Sequence, residues 1–321
     1  MTGAPPATRP RTVFLGSGQF GVSALRHLDE SSEVELVGIV TAPPRPAGRG
    51  GALTATPIAR VADTMGIPWI LTPERLRNPE AVADVLALEP GLLVLADYGR
   101  LVPAQLLEPL FGALNLHPSL LPRHRGAAPI QAAILAGDAE TGASLMKMDA
   151  GLDTGPIVDQ TRVALTGHET APILEERLSA DAAALLARSL GPWIRGELSA
   201  IPQPSDGASL TRPLRREDAR LDPSLSAIRL ERHVRAYQPW PGSFVETVAG
   251  RIRILRADVA PAADDPSDEP GTFGPGPVLR LRTTDGDLVL VEVQPAGGRA
   301  MSGTELILGR PALPGSRVDV T

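Results

Sequence analysis

Short apolar runs that alternate with helical stretches are the sequence feature that most limits how this chain can fold. Strands joined by helices lie parallel in one sheet, and the helices cover its two faces. The expected strands are Arg11–Gly16, Glu35–Thr41, Trp69–Leu71, Leu92–Ala96 and Ala113–His117, and the expected helices are Phe20–Leu28, Thr56–Met65 and Glu80–Leu88. We therefore expect an α/β fold with a Rossmann-like parallel sheet.

The pattern continues past these elements and then changes. The further elements expected are strands at Met146–Asp149 and Ile157–Val163 and a long Ala- and Leu-rich helix at His168–Leu190. Pro192–Ser209 contains Gly, Pro and Ser without a sustained period, which is typical of a linker. We assign residues 1–198 to a first domain, 199–210 to a linker and 211–321 to a second domain.

The second domain shows short strands with turn signals between them. The expected strands lie within Gly242–Val259, Val278–Thr284 and Leu288–Gln294, and Ser224–Tyr237 is the one clear helix. This pattern indicates a small β-rich domain, which we expect to be an OB-like barrel. Pro261–Gly276 is acidic and rich in Pro and Gly, so we expect a mobile loop there.

Composition excludes several classes of chemistry. The 321 residues include no cysteine, which rules out disulfides, Cys-ligated zinc, iron–sulfur clusters and thiol catalysis. There is no apolar leader at the N-terminus and no run of about 18 apolar residues, so we expect a cytoplasmic protein without a membrane partner. The net charge of −6 argues against RNA binding by bulk charge alone. We expect a monomer.

The turn after the first strand matches the G-x-G-x-x-G dinucleotide fingerprint over Gly16–Gly21. The other half of that fingerprint is an acidic residue at the end of the next strand, and Val40–Pro43 provides none. A tight turn between strand and helix explains these glycines equally well. A nicotinamide cofactor is therefore the weaker of the two interpretations.

A second motif, Asn115–Pro122 (NLHPSLLP), begins within an apolar strand and ends in a proline-containing turn. Residues two apart in a strand point to the same side, so Asn115 and His117 project together. Open α/β sheets bind their ligands at the carboxyl ends of the strands. The prolines end the strand here and favour a cleft position, although a buried structural histidine fits the strand equally well.

A third motif, Asp149–Pro156 (DAGLDTGP), places a carboxylate between two glycines. Such a loop lets its backbone approach a ligand closely, and an Asx-type turn is the alternative explanation. An Asn amide and an imidazolium could stabilise the oxyanion that forms when an amine attacks a formyl carbon. A nearby carboxylate would stabilise the protonated form of the imidazole and accept the proton of the amine through water. With no Cys and no His-x-x-x-His pair, we expect no metal.

These motifs resemble the folate-dependent formyltransferases. Asn115–Gln131 and Asp138–Gly155 are similar to that family almost residue for residue. The resemblance implies 10-formyltetrahydrofolate as the formyl donor and Asn115, His117 and Asp153 as the catalytic residues. The folate site that it implies is formed by Ser119, Leu120, Leu121, Pro122, Leu93, Tyr98, Gly151 and Leu152.

Within the family, the chain most resembles members that formylate the methionine of initiator methionyl-tRNA. Arg45–Gly50 is similar to the loop that enters the acceptor stem, and OB folds commonly bind nucleic acid. The later segments that resemble this branch are Leu221-Asp222 with Ser224–Ser226, Arg235–Pro241 and Gln294–Gly297. The resemblance implies that Arg45, Arg49 and Arg299 contact the tRNA.

The chain departs from the pattern of the family at three places. His124 stands where the family has Trp, Gly51-Ala52 replace two basic residues, and Gly298-Arg299 replace paired lysines. These changes remove stacking or phosphate contacts to RNA and leave the catalytic trio intact.

Two other functions compete with this one. A formyltransferase for a small amine, such as a nucleotide sugar or glycinamide ribonucleotide, would leave the arginine-rich loop or the C-terminal domain unexplained. A non-catalytic tRNA-binding module would need none of Asn115, His117 and Asp153.

Overall fold

A computed structural model describes residues 9–47, 51–248, 250–261 and 269–319 of the chain. They form two compact units. The first contains residues up to Pro129, Glu140–Ala164 and Leu174–Arg212, and the second contains Ile130–Ala139, Leu165–Ile173 and the residues from Pro213 onward. Two short segments from within residues 1–198 thus group with the C-terminal part, which a division by sequence position does not capture.

The strands are β1 (Arg11–Gly16), β2 (Glu35–Val40), β3 (Arg45–Ala47), β4 (Ala52–Thr54), β5 (Ile70–Leu71), β6 (Leu92–Ala96), β7 (Ala113–His117), β8 (Arg125–Gly126), β9 (Glu140–Lys147), β10 (Ile157–Ala164), β11 (Leu210–Thr211), β12 (Phe244–Thr247), β13 (Ile252–Ala260), β14 (Arg280–Arg282), β15 (Asp287–Pro295), β16 (Met301–Ser302) and β17 (Val318–Asp319). The helices are α1 (Val22–Glu30), α2 (Pro57–Met65), α3 (Pro79–Leu86), α4 (Pro129–Ala136), α5 (Ala171–Ile194), α6 (Ala227–Ala236) and α7 (Gly303–Gly309), with 3₁₀ turns at Ala104–Leu106 and Arg216–Ala219.

The first unit is built on a seven-stranded sheet with the order β10-β9-β7-β6-β1-β2-β5. The five strands from β7 to β5 are parallel, whereas β9 and β10 are antiparallel to their neighbours. This confirms the expected α/β fold with a Rossmann-like sheet. Strands β1 and β6 are almost wholly buried, as strands covered on both faces must be.

Strand β9 differs from the expectation, which placed a strand at Met146–Asp149. It begins at Glu140 and ends at Lys147. The first half of β9 gives no strand signal in the sequence, because Gly142, Ala143 and Ser144 have a weak intrinsic preference for strands. Gly142 is needed there, since a Cβ atom on it would lie 1.9 Å from the carbonyl oxygen of Thr161 on β10.

The second unit contains a six-stranded antiparallel sheet that curls into a half-barrel. Its order is β14-β15-β13-β12-β17, and β16 pairs with β15. Helix α6 and the inner faces of these strands enclose one apolar core, which includes Leu230, Ile254, Leu290 and Phe273. The expected small, OB-like β domain is confirmed.

Two expectations about the second unit were wrong in part. In the described portion of the expected mobile loop, Phe273 is fully buried and Thr272 pairs with Arg317, so these residues belong to the barrel. Residues 262–268 lie outside the described residues. A second helix, α7, also exists, and the side chains of Ser302 and Glu305 form a capping box at its start. The Ser-x-x-Glu spacing could have revealed it.

The segment expected to be a linker is partly ordered against the first unit. Helix α5 continues through Pro192 to Ile194. Ile201 then forms an antiparallel bridge with Ile157, and β11 pairs in parallel with β8. The segment therefore belongs in part to the fold of the first unit, through contacts that are distant in sequence.

Candidate active site

The Asn-x-His motif lies on β7, between β6 and β9. Asn115 is in register with Leu95 on β6 and Met146 on β9, and His117 is in register with Ser144. Alternation along the strand sends both side chains to the same side. Asn115 is half-buried, and His117 ends the strand with only 6% of its side chain exposed. The motif thus occupies the carboxyl end of a central strand, where ligands bind in such sheets.

The imidazole of His117 lies between a backbone carbonyl and a carboxylate. Its Nε2 atom lies 2.9 Å from the carbonyl oxygen of His124, and its Nδ1 atom lies 3.7 Å from Oδ2 of Asp153. A carbonyl oxygen can only accept a hydrogen bond, so Nε2 carries a proton and donates it. The 3.7 Å separation is too long for a hydrogen bond, and it leaves Nδ1 as the nitrogen that faces the carboxylate.

The environment of His117 corrects one expectation from the sequence. Burial lowers the pKa of the ring, and this outweighs the carboxylate of Asp153 and the carbonyl of His124, which both raise it. The imidazole is therefore neutral at neutral pH, with its proton on Nε2. The expected resting imidazolium is wrong, because the sequence does not reveal how completely the ring loses water.

The two carboxylates of the Asp149–Pro156 loop have different roles. Asp149 accepts hydrogen bonds from the backbone N–H of Gly151 at 2.9 Å and from the hydroxyl of Thr154 at 2.8 Å, which forms an Asx-type turn. That turn presents Asp153, whose φ angle of 52° places it in the left-handed region that Asp tolerates. Oδ2 of Asp153 accepts a hydrogen bond of 2.8 Å from the N–H of Gly126 on β8.

The residues assigned to folate differ widely in accessibility. Leu93 is fully buried in the core of the sheet, and the Ser119 hydroxyl is also buried and donates to the carbonyl of Arg123. Neither side chain is accessible in this structure. Their assignment to folate stays a prediction. Leu121 and Tyr98 are buried, Leu120 and Pro122 are half-buried, and Gly151 and Leu152 are exposed.

The arginines assigned to tRNA lie on the surface or outside the described residues. Arg45 is exposed on β3, which forms a hairpin with β4. Arg299 is 74% exposed, and its guanidinium lies 3.2 Å from the carboxylate of Glu305. Arg49 lies outside the described residues.

The glycine turn after β1 packs tightly against the end of β6. The N–H groups of Ser17 and Gly18 donate to the carbonyl of Asp97, at 3.0 and 3.4 Å. A Cβ atom on Gly18 would lie 1.5 Å from the Asp97 carboxylate, and one on Gly16 would lie 2.7 Å from the carbonyl of Ala96. Close packing therefore accounts for Gly16 and Gly18 without a bound dinucleotide.

Comparison with known proteins gives the family of the chain. Residues 10–190 match the formyl transferase family model, and residues 213–311 match the model of the formyl transferase C-terminal domain. A methionyl-tRNA formyltransferase of Myxococcus xanthus is 41% identical over 313 residues, which cover 97% of this chain and 98% of that protein. This chain belongs to the methionyl-tRNA formyltransferase family. The family resemblance seen in the sequence motifs is thereby confirmed.

Solved structures show the same fold in more distant formyltransferases. An N-formyltransferase of Helicobacter canadensis, in complex with folinic acid and dTDP-3-aminofucose, has a TM-score of 0.62 at 15% identity, covering 88% of this chain and 98% of that one. Methionyl-tRNA formyltransferase of Clostridium thermocellum has a TM-score of 0.53 at 17% identity, covering 78% of this chain and 94% of that one.

Neither a metal site nor a membrane-spanning helix is found among the described residues. No group of three or more His, Asp or Glu side chains there could hold a metal ion. No helix in the same ranges is both long and apolar enough to cross a membrane.

Several residues around His117 were not identified from the sequence. The N–H of His124 donates to the hydroxyl of Ser209 at 2.8 Å, and Arg125 and Gly126 pair with Leu210 and Thr211. These partners are more than 80 positions apart in the chain. The Arg-Gly step inside the family motif was the only local signal for this side of the site.

Proposed function

We propose that this formyltransferase transfers the formyl group of 10-formyltetrahydrofolate to the α-amino group of methionine on initiator methionyl-tRNA. The observation that carries the proposal is the 41% identity to a methionyl-tRNA formyltransferase over 97% of the chain, which covers both units. The pairing of His117 with Asp153 at the end of β7 supports it. We place the reaction in the cytoplasm, where initiator tRNA is used.

Asn115 is the residue that we assign to stabilise the oxyanion of the reaction. When the amine attacks the formyl carbon, the carbonyl π electrons move to the formyl oxygen. The Asn115 amide, half-buried on the same side of β7 as His117, is the donor that we assign to this oxygen. No covalent bond to the protein is needed.

His117 is the residue that we assign to accept the proton of the amine. Nε2 of His117 already donates to the carbonyl of His124, so Nδ1 is the nitrogen that can accept a proton. The imidazolium that forms is stabilised by the carboxylate of Asp153, 3.7 Å away. When the bond between the formyl carbon and the folate nitrogen breaks, Nδ1 returns the proton to that nitrogen. The products are the formylated amine and tetrahydrofolate.

The substrates would reach these groups from the accessible side of the site. For folate we propose the half-buried and exposed residues of the two loops, namely Leu120, Pro122, Gly151 and Leu152. For tRNA we propose Arg45, Arg49 and Arg299. The guanidinium group suits phosphate contacts, because it presents a planar fork of donors.

An acceptor test examines the proposal. The purified protein and its His117→Ala variant would receive 10-formyltetrahydrofolate with methionyl initiator tRNA, methionyl elongator tRNA or an amino-sugar nucleotide. We expect formylation of the initiator tRNA, and loss of about 10²–10³-fold in turnover for the folded variant. A preference for the sugar nucleotide would refute the tRNA acceptor, and normal turnover of the variant would remove His117 from the mechanism.

A further inference from the structure

The segment that follows α5 contacts the two segments that flank His117, namely the Asp153 loop and the backbone of His124–Gly126. Ile201 exchanges two backbone hydrogen bonds with Ile157, at 2.8 and 2.7 Å, just beyond the Asp153 loop. Farther along, β11 pairs with β8. We call residues 201–211 the strap. It connects the Asp153 loop at one end to the His124–Gly126 backbone at the other.

Gln203 in the strap uses its whole amide group to join these two loops. Its Nε2 atom donates to the carbonyl of Asp153 at 2.8 Å and to the carbonyl of Gly155 at 2.7 Å. Its Oε1 atom accepts from Nε of Arg125 at 3.0 Å and from Nη2 of Arg125 at 2.7 Å. Both donors and the acceptor oxygen of the amide are thus engaged.

The orientation of this amide is unambiguous. A guanidinium group has only donors, so the amide oxygen must face Arg125, and backbone carbonyls have only acceptors, so the amide nitrogen must face Asp153 and Gly155. The flipped amide would place donor against donor and acceptor against acceptor. Among natural side chains of this length, only an amide meets both demands.

The other end of the strap holds the backbone on the far side of His117. The Ser209 hydroxyl accepts from the N–H of His124 at 2.8 Å, and its carbonyl accepts from the N–H of Arg125 at 2.9 Å. The Thr211 hydroxyl donates to the carbonyl of Arg125 at 2.9 Å. The carbonyl that receives Nε2–H of His117 is therefore held in place by the same segment.

We infer that Gln203 is a positioning residue that sets the distance between the Asp153 carboxylate and Nδ1 of His117. The inference rests on the proposed function, because it assumes that this pair handles the proton. An electrostatic pair in a buried site is sensitive to small displacements, and a misplacement of about 1 Å can cost about 10²-fold in rate. Gln203 touches no reacting atom and acts through the loop of Asp153.

The test is a double-mutant cycle in the full chain. Gln203→Ala would be made alone and in the Asp153→Asn background, and Gln105→Ala, an exposed glutamine of the first unit, is the matched control. We expect Gln203→Ala to lower kcat about 10–10²-fold, with little change in KM for the folate. In the Asp153→Asn background, the same substitution should cost less than about threefold, because the group that it positions is already lost.

A second variant covers the case in which Gln203→Ala folds poorly. Gln203→Met keeps the length of the side chain and adds no charge, but it loses the amide group that joins Arg125 to the Asp153 loop. We expect it to lower kcat as Gln203→Ala does, and to lower the pKa of His117 further in an NMR titration of the ring. A role in folding alone would leave that pKa unchanged.

The outcomes separate the two proposals. Equal losses of kcat in both backgrounds, or an unchanged His117 pKa in Gln203→Met, would overturn the positioning role while Asp153 kept its own. Normal kcat for Asp153→Asn alone would overturn the assignment of Asp153 and the positioning role together.

Discussion

Replacement of Gly126 by alanine should separate β11 of the strap from β8. Gly126 has a φ angle of 100°, and a Cβ atom placed on it would lie 2.3 Å from the carbonyl oxygen of Thr211. A backbone oxygen cannot rotate away as a side chain can. The clash is therefore relieved only when β11 moves away from β8.

The loss of stability in Gly126→Ala follows from the strained backbone and from the contacts that this movement breaks. The left-handed backbone itself costs an L-residue about 1–2 kcal/mol. Separation of the strap also loses about two or three hydrogen bonds near residues 125–128, each contributing about 1 kcal/mol. The total is about 3–5 kcal/mol. The N–H of Gly126 would also shift relative to the Asp153 carboxylate that it now contacts at 2.8 Å, so kcat should fall about 10-fold or more.

Hydrogen exchange and kinetics would measure these two effects. Gly207→Ala is the matched control, because Gly207 lies in the same strap with a φ angle of 75°, and a Cβ atom added to it would meet no other atom within 4 Å. We expect the amides of His124, Arg125 and Ala128 to exchange about 10²–10³-fold faster in Gly126→Ala and to be unaffected in Gly207→Ala. Equal exchange and equal kcat in the two variants would refute the role of the strap.

Three further predictions concern charge. Asp153→Asn keeps the shape of the loop and removes the charge that raises the pKa of His117, so an NMR titration should show a lower pKa than in the wild type. Burial lowers the pKa of His233 to about 4, so as the pH falls the unfolded chain binds the proton before the folded protein does. The free energy of unfolding should therefore fall by up to about 3 kcal/mol between about pH 6.5 and pH 4, and His233→Gln should flatten that dependence in denaturant titrations. Arg49→Ala should raise KM for methionyl-tRNA and reduce its salt dependence by roughly one counterion, whereas an effect on folate alone would contradict the assignment.

The parallel core of the fold was predictable because its strands carry a strong local signal. Strands β6 and β7 begin and end at the residues expected from their apolar runs. Strands buried on both faces need continuous apolar sequence, and that requirement is visible without a structure. The start of β9 could not be predicted, because its residues are small or polar instead of apolar. Gly142 gives room for the carbonyl of Thr161 on β10, and the Ser144 hydroxyl accepts a hydrogen bond from the N–H of Leu121.

In the candidate site too, the features that depend on local sequence could be predicted, and those that depend on distant segments could not. Asn115 and His117 share one strand, so their common side follows from a spacing of two residues. The protonation of His117 could not be predicted, because the burial that lowers its pKa comes from the packing of distant segments. Gln203 gave no signal at all. Its partners lie 48 to 78 positions away, and its own neighbours in sequence have the composition of a linker.

The surface of the second unit limits how an acidic chain could bind an anionic substrate. Net charge offers no attraction at −6, so phosphate contacts must come from particular guanidinium groups. Arg299 is one such group, although it pairs with Glu305 in this structure. Both partners are exposed, and ion pairs at such positions are weak because water screens them. A phosphate oxygen could therefore replace the Glu305 carboxylate at little cost, and the pair does not oppose the proposed role of Arg299.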